Sequence, residues 1–197
     1  MPKNIPTVVI SFMGVDGSGK SSIIDALRKK VSKKYNKIKY LHLRPYLFLT
    51  DKRTVIKDPH NKKISNFKYF SLIKILMWLI IYKVFFLFYV RKNNQLIIFD
   101  RYAHDIIIDK IRYNFYLPNR LSSYILNLFP KPNLWIVLHA SIVTVEKRKK
   151  ELPTSELRRQ MKKYITFAKK NKNSLLLSTE KSIKKNILLI INKISSI

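Results

Sequence analysis

Three glycines, one lysine and two serines form the part of this chain that is most clearly arranged for chemistry. The chain of 197 residues has only three glycines, and all of them fall in residues 14–21, GVDGSGKS. This stretch fits the pattern G-x-x-x-x-G-K-[ST] and lies between an apolar run and an amphipathic helical pattern. Such a loop wraps phosphate oxygens with backbone N–H groups at a helix N-terminus. The sequence therefore predicts a site for the β- and γ-phosphates of a nucleoside triphosphate.

Individual roles follow from the residue types in this loop. Lys20 supplies a cation for the β- and γ-phosphates, and the hydroxyl of Ser21 is suited to Mg²⁺. We expect ATP and Mg²⁺ as cofactors. The residues predicted to contact ATP in this loop are Gly14, Val15, Asp16, Gly17, Ser18, Gly19, Lys20, Ser21 and Ser22.

A carboxylate and a guanidinium follow one another at the end of a later apolar run, QLIIFDRY. Asp100 lies where a parallel strand delivers a side chain beside the phosphate loop, so it is a candidate partner of Mg²⁺ through water. Arg101 leaves the same strand end toward the nucleotide cleft. The structural alternative is a helix-capping aspartate followed by a surface arginine.

Five short apolar runs alternate with helical stretches along the chain. Because these runs are continuously apolar, and do not alternate with polar residues, they predict parallel strands that are covered on both faces. The expected fold is α/β, a doubly wound five-stranded parallel sheet with helices on both faces, in a single domain of residues 1–197. The break at residues 44–66 is long enough to be functional or mobile. The five runs are TVVISFM, KIKYLHL, QLIIFD, LWIVLHA and SLLLS.

Composition excludes several classes of site. There are no cysteines, so disulfides, thiol nucleophiles and thiolate metal sites are excluded, and the four histidines are scattered without zinc spacing. The N-terminus lacks the apolar core of a secretory signal, so we expect a cytoplasmic protein. The net charge of +29 favours polyanions. However, 30 of the 40 basic residues are lysines spread along the chain, which is more typical of a compositional bias, so nucleic acid is not an expected partner.

The segment 69–90, YFSLIKILMWLIIYKVFFLFYV, is long enough to span a bilayer. Lys74 and Lys83 interrupt it and point to opposite sides of a helix, and a spanning helix here would separate the third strand from the first two. We interpret the segment as a buried or dimer-interface helix, and a homodimer is expected. Shallow contact with the inner face of an anionic membrane is the alternative.

The loop GVDGSGKS, the Asp100-Arg101-Tyr102 at a strand end and the basic helix after LWIVLHA together resemble thymidylate kinase and its relatives among nucleoside-monophosphate kinases. The resemblance implies the strand order 2-3-1-4-5. It also implies that Asp16 and Arg101 face the phosphate acceptor, and that Arg44 is the arginine that follows the second strand.

The same resemblance implies a mobile lid at about residues 147–160. In such kinases, arginines of the lid close on the transferring phosphoryl group. Arg148, Arg158 and Arg159 are the candidates, with Arg148 also expected at the ATP site. The predicted catalytic residues are therefore Lys20, Asp16, Asp100, Arg101 and Arg148, and the predicted substrate-binding residues are Arg44, Arg101, Asp105, Arg158 and Arg159.

Two departures from thymidylate kinases concern the substrate. The helix before Asp100 has no arginine to read thymine, and Asp105, Asp109 and Arg112 stand near helical spacing where those kinases have small hydroxyl residues. This pattern is closer to thymidylate-kinase-like proteins associated with surface-polysaccharide gene clusters.

Three functions stay open at this point. The first is an ATP-dependent kinase for a nucleoside monophosphate or a related phosphorylated small molecule. The second is a kinase for a neutral hydroxyl of a sugar or surface-polysaccharide precursor, with Asp16 or Asp105 accepting a proton. The third is a binding module that uses nucleotide as a switch.

Overall fold

Five parallel strands form the centre of the protein. The structure, a computed structural model, describes residues 6–43, 68–90, 94–149 and 151–197. The strands are β1 Val8–Met13, β2 Lys37–His42, β3 Gln95–Asp100, β4 Leu134–His139 and β5 Ser174–Ser178. They lie in the order β2-β3-β1-β4-β5 and every neighbouring pair is parallel, which confirms the predicted fold class and strand order.

The pattern of burial explains why the strands could be recognised from sequence. All six residues of β1 and of β3 are buried, whereas the edge strands β2 and β5 are mostly half-buried. A strand covered on both faces is made mostly of apolar side chains, without a polar residue at every second position, so it gives a nearly continuous apolar run.

Seven helices lie among the described residues. They are α1 Lys20–Val31, α2 Lys68–Tyr89, α3 Asp105–Ile108, α4 Asn119–Asn127, α5 Ile142–Arg148, α6 Thr154–Lys170 and α7 Ile183–Ser195. Two helices begin at a serine whose hydroxyl accepts a backbone N–H, Ser141 before α5 and Ser182 before α7. Helix α1 instead follows Gly19 and has no side-chain cap, so its first N–H groups are not bonded by a capping side chain.

Each face of the sheet carries its own apolar core. One core joins the sheet to α1 and α7 and includes Ile10 and Ile190. The other joins it to α2, α4 and α6 and includes Phe99, Trp135 and Tyr164. The doubly wound arrangement is therefore observed.

Helix α2 is only partly covered by this core. Ile75 and Tyr82 are fully buried against the sheet side, but eight large apolar side chains of the helix are exposed. The helix is long and apolar enough to cross a membrane by length and composition, with a third of its most apolar window buried. Because soluble core helices pass the same test, this is weak evidence for a span. The expectation of a buried helix holds for one side of α2 only.

The strand register brings three chain segments to one edge of the sheet. Near their carboxyl ends Phe12 lies opposite Asp100, His42 also lies opposite Asp100, and Met13 lies opposite Val137. The loops that follow β1, β3 and β4 therefore open beside one another. This edge is where ligands bind in open α/β sheets.

Candidate active site

The glycine-rich loop follows β1 and packs closely against β4. Gly14 has φ +143°, and a Cβ at this position would lie 2.5 Å from the carbonyl oxygen of Leu138, so only glycine fits. Gly19 has φ +84° and turns the chain into α1. The loop thus leads directly into a helix N-terminus, as an anion-binding loop requires.

Lys20 lies inside this loop and holds it together. Its Nζ donates to the carbonyl oxygens of Gly14 and Val15, both at 2.8 Å, and only 7% of the residue is exposed. Burial, and then the neighbouring Arg101, lowers the pKa of Lys20 from 10.5 to about 8, which the nearby carboxylates offset only in part. A bound anion would relieve this cost.

Asp16 is surrounded by cations that come from three parts of the chain. Its carboxylate accepts hydrogen bonds from Arg101 and from Arg112, and Lys20 Nζ lies 3.9 Å away. Burial alone would raise the pKa of Asp16, but Arg101, Lys20 and Arg112 hold it well below its usual range. Asp16 therefore stays ionised and is the shared counter-ion of two guanidinium groups.

Arg101 is held in an uncommon backbone conformation. Its φ is +74°, in the left-handed region that costs non-glycine residues about 1–3 kcal/mol. Its N–H donates to the carbonyl of Phe12 at 2.9 Å, which fixes the backbone beside the end of β1. Although burial alone lowers the pKa of Arg101, Tyr113 and Asp16 raise it well above its ordinary value. A charged guanidinium is thus aimed at the phosphate loop.

Asp105 and Tyr164 support Arg101 from behind. Asp105 is completely buried, its Oδ1 accepts the Tyr164 hydroxyl at 2.6 Å, and its Oδ2 lies 3.7 Å from Nη1 of Arg101. Burial raises the pKa of the Asp105 carboxyl, and Arg101 and Tyr164 oppose this increase. Asp105 was predicted to bind substrate. In the structure it is fully buried and contacts Arg101 and Tyr164, and its role in substrate binding stays a prediction.

Asp100 offers an unused acceptor at the end of β3. Its Oδ2 accepts the Tyr40 hydroxyl at 2.7 Å, whereas Oδ1 is buried and has no hydrogen-bond partner among the described residues. Ser21 is exposed in the first turn of α1. Mg²⁺ in kinases keeps several waters and uses one or two protein oxygens together with substrate phosphates. Asp100 and Ser21 fit that requirement, and the described residues contain no larger cluster of metal ligands.

The arginines of the predicted lid do not come together. Arg148 Nη1 donates to Thr179 Oγ1 at 3.1 Å and lies beside Gly19, next to the phosphate loop. Arg159 Nε donates to Glu156 at 2.6 Å, and its Nη2 donates to the Ile108 carbonyl at 3.2 Å. Of these three arginines, only Arg148 therefore lies beside the phosphate loop.

Arg158, the neighbour of Arg159, points elsewhere. It lines a groove of about 410 Å³ together with Ile142 and Met161, between α5 and α6. Arg44 and the predicted functional loop at residues 44–66 lie outside the described residues. The roles of these three arginines in substrate binding stay predictions.

Two residues of the site had no role assigned from the sequence. Arg112 reaches Asp16 across 96 positions of sequence, and its own backbone N–H donates to Asp109 Oδ1 at 3.2 Å. The spacing of Asp109 and Arg112 was the available signal. Tyr164, which is 59 positions from Asp105, left no local signal in the sequence.

Comparisons with known proteins identify solved structures that share the fold of this chain. No family model and no curated protein matches the sequence. Thymidylate kinase from Ehrlichia chaffeensis is similar in structure, with 16% identity, a TM-score of 0.60, and coverage of 95% of this chain and 98% of that chain. The chain has a thymidylate-kinase-like P-loop fold. At this level of identity, the likeness shows the fold alone.

Two further solved structures support the same assignment of the P-loop fold. Thymidylate kinase from Candida albicans has 20% identity and a TM-score of 0.63, and the match covers 97% of this chain and 92% of that chain. Deoxyadenosine kinase from M. mycoides has 20% identity and a TM-score of 0.60, with 96% and 100% covered. One name refers to a nucleotide and the other to a nucleoside, so the fold does not select the acceptor.

Proposed function

We propose that this P-loop protein is an ATP-dependent kinase that transfers the γ-phosphoryl group to a phosphorylated small molecule, a nucleoside monophosphate or a related compound. The observation that carries the proposal is the convergence of Arg101 and Arg112 on Asp16 within the phosphate loop. The two arginines come from different chain segments and lie beside the place where a triphosphate would bind. Guanidinium groups are suited to phosphate because they bind it through two parallel hydrogen bonds.

The donor side of the reaction is assigned to the loop and α1. The backbone N–H groups of the loop and Lys20 bind the β- and γ-phosphates, and Arg148 lies at the edge of the same loop. Ser21 and Asp100 would hold Mg²⁺, which supplies charge neutralisation when bound. An oxygen of the acceptor forms a bond to the γ-phosphorus, the bond to the bridging β–γ oxygen breaks, and ADP leaves with that electron pair.

The properties of the carboxylates in the site favour an acceptor whose attacking oxygen already carries a negative charge. An acceptor phosphate presents an oxygen that is already negative at neutral pH, so catalysis needs position and charge and no strong base. Asp16 is a poor base because its pKa is depressed, and Asp105 is too buried to contact an acceptor. Neither of the two bases suggested by the sequence for a neutral hydroxyl is therefore well placed.

One observation favours the hydroxyl-kinase alternative with a different base. The described cleft contains carboxylates as well as cations, and the buried Oδ1 of Asp100 has no hydrogen-bond partner among the residues that the structure describes. A neutral hydroxyl could donate to this oxygen and transfer its proton there. The acceptor of this second function would be a sugar or nucleoside hydroxyl.

A panel of acceptors tests the two functions directly. ADP release is measured with ATP and Mg²⁺ against nucleoside monophosphates and sugar phosphates in one group, and nucleosides and free sugars in the other. We expect turnover in the first group, and a loss of acceptor use in Arg112→Gln but not in the exposed control Arg120→Gln. Turnover of neutral acceptors alone, with a loss in Asp100→Asn that no Mg²⁺ concentration restores, would establish the alternative. Absence of both ATP binding and turnover would refute the kinase proposal.

We also propose that residues 147–160 form a lid within a single domain of residues 1–197. The position of this segment supports the proposal. It contains the end of α5, which lies beside the phosphate loop, and the start of α6. Further along α6, the hydroxyl of Tyr164 donates to Asp105. Hydrogen exchange should slow in this segment when a non-hydrolysable ATP analogue binds. Unchanged exchange there, with slowed exchange in the phosphate loop, would contradict the lid.

A further inference from the structure

The hydroxyl of Tyr164 lies between a carboxylate and a guanidinium in the interior of the protein. It donates to Oδ1 of Asp105 at 2.6 Å and accepts from Nη1 of Arg101 at 3.4 Å. Nη1 of Arg101 also lies 3.7 Å from Oδ2 of Asp105. The three residues are only 0–2% exposed. One phenol oxygen on α6 therefore contacts both members of a buried ion pair.

The other end of the Arg101 guanidinium faces the phosphate loop. Its Nη2 donates to Asp16 in that loop, and the backbone N–H of Arg101 donates to the carbonyl of Phe12 at 2.9 Å. Nη1 and Nη2 belong to one rigid planar group. The contacts of Nη1 with Tyr164 and Asp105 therefore fix the direction in which Nη2 points.

Packing alone does not explain the hydroxyl of Tyr164. Its ring belongs to the apolar core on the side of the sheet that carries α6, and a phenylalanine ring would fill the same space. A buried ion pair is costly because both charges lose their water, and apolar residues of similar volume are often at least as stabilising. The buried polar group of Arg101, Asp105 and Tyr164 is therefore better explained by the position of Nη2 beside the phosphate loop than by stability.

Helix α6 is docked on α3 by two side chains that precede Tyr164 in sequence. Nη2 of Arg159 donates to the carbonyl of Ile108 at 3.2 Å, and Nζ of Lys163 lies 3.4 Å from the carbonyl of Ile107, to which it donates. These contacts hold the backbone of α6 against α3, the helix that begins with the carboxylate partner of Tyr164. The two helices thus form a fixed support behind the guanidinium.

We propose that Tyr164 is a positioning residue for the phosphate acceptor. Its hydroxyl, together with Asp105, holds the guanidinium of Arg101 in the direction that binds the acceptor phosphate. The inference rests on the proposed function, in which Arg101 and Arg112 bind that phosphate. The donor nucleotide is assigned to Lys20 and the loop backbone, so loss of the Tyr164 hydroxyl should impair use of the acceptor and spare ATP.

The kinetic test compares Tyr164→Phe with the matched control Tyr102→Phe. Tyr102 is equally buried in the same core, and its hydroxyl donates to the carbonyl of Pro130. Each variant loses one buried hydroxyl, so both should unfold at a somewhat lower temperature. The acceptor is the nucleoside monophosphate or sugar phosphate that the parent turns over fastest. Its KM should rise at least fivefold in Tyr164→Phe and less than twofold in the control, with the KM for ATP within twofold in both.

A second measurement needs no acceptor. In protein labelled with nitrogen-15 arginine, NMR records how fast the guanidinium N–H protons exchange with water, and the signal that is lost in Arg101→Lys belongs to Arg101. These protons should exchange at least tenfold faster in Tyr164→Phe than in the parent, and within twofold of the parent in Tyr102→Phe. The variant Asp105→Asn keeps an oxygen for the Tyr164 hydroxyl but removes the charge beside Arg101, so it should also accelerate exchange.

The two measurements separate failure of this inference from failure of the proposed function. Unchanged exchange at Arg101 in both Tyr164→Phe and Asp105→Asn would overturn the inference, whether or not the protein is a kinase. Equal effects of Tyr164→Phe and Tyr102→Phe on KM would indicate a general structural role and would overturn it too. Faster exchange at Arg101 in a protein whose parent turns over no acceptor would support the positioning of Arg101 and refute the kinase proposal. Thermal unfolding confirms that each variant is folded.

Discussion

The lysine of the phosphate loop should limit activity at alkaline pH. In the ligand-free protein, burial and then Arg101 lower the pKa of Lys20 to about 8 from an ordinary value of 10.5. The difference between these values corresponds to about 3 kcal/mol, at about 1.4 kcal/mol per pH unit. At pH 9 only about one tenth of the free enzyme would carry the positive charge that binds the triphosphate.

The protonated fraction of Lys20 predicts different pH profiles for kcat/KM and for kcat. The value of kcat/KM for ATP reports the free enzyme and should fall about fivefold between pH 8 and pH 9, and about ninefold between pH 9 and pH 10. The value of kcat at saturating ATP reports the complex, in which the phosphates favour the charged form of Lys20. Its decline should therefore begin at higher pH than the decline of kcat/KM.

Initial rates of ADP formation, measured from pH 6 to pH 10 at constant ionic strength, check this prediction. The control is Lys20→Arg, because a guanidinium stays charged throughout this range and should remove the alkaline decline, whatever its absolute activity. A parent profile that is flat to pH 10 would refute the reasoning. The same decline in Lys20→Arg would show that another group is responsible.

The pKa of Lys20 also predicts how stability changes with pH. The folded-state pKa of Lys20 is lower than its unfolded value, so the buried charge lowers the free energy of unfolding. This destabilising contribution is fully present below pH 8. It is relieved as the pH rises from 8 through 10.5, because the unfolded chain then binds more protons than the folded chain. The free energy of unfolding of the parent should rise relative to Lys20→Met over this range, by at most about 3 kcal/mol.

Four further predictions concern the rest of the site. Arg112→Gln should raise KM for the acceptor about 10–100-fold and leave KM for ATP within about threefold, because one charge-assisted hydrogen bond contributes about 1.5–3 kcal/mol. Asp100→Asn should reduce activity at low Mg²⁺, and a higher Mg²⁺ concentration should restore part of that activity. A loss that no Mg²⁺ concentration restores would indicate that Asp100 acts as a base. Gly14→Ala should lower the thermal unfolding temperature, because its Cβ would overlap the Leu138 carbonyl. Thymidine monophosphate should be a poor acceptor, since α2 contains no arginine to read thymine, and rates of roughly 1–10³ per second would contradict this.

The strands were predictable because their environment imposes a simple pattern. Each of the five predicted apolar runs corresponds to an observed strand, and the differences are one residue at most at either end. Strands buried on both faces have no polar side to interrupt the run. Helix α2 was less predictable, since an apolar pattern does not show which side of a helix the rest of the fold will cover. The exposed apolar side of α2 became visible only in the structure.

The donor side of the site was more accessible to sequence reasoning than the acceptor side, and Asp16 shows why. The loop residues 14–21 are neighbours in sequence, and the chemistry of phosphate binding needs nearly all of them together. Asp16 belongs to the same loop, yet its partners Arg101 and Arg112 lie 85 and 96 positions away and reach it through the parallel pairing of β1 with β3. No local sequence pattern indicates such a contact. The acceptor site that we propose lies at this junction between segments, so experiments on Arg112 test the substrate assignment that the phosphate loop alone does not determine.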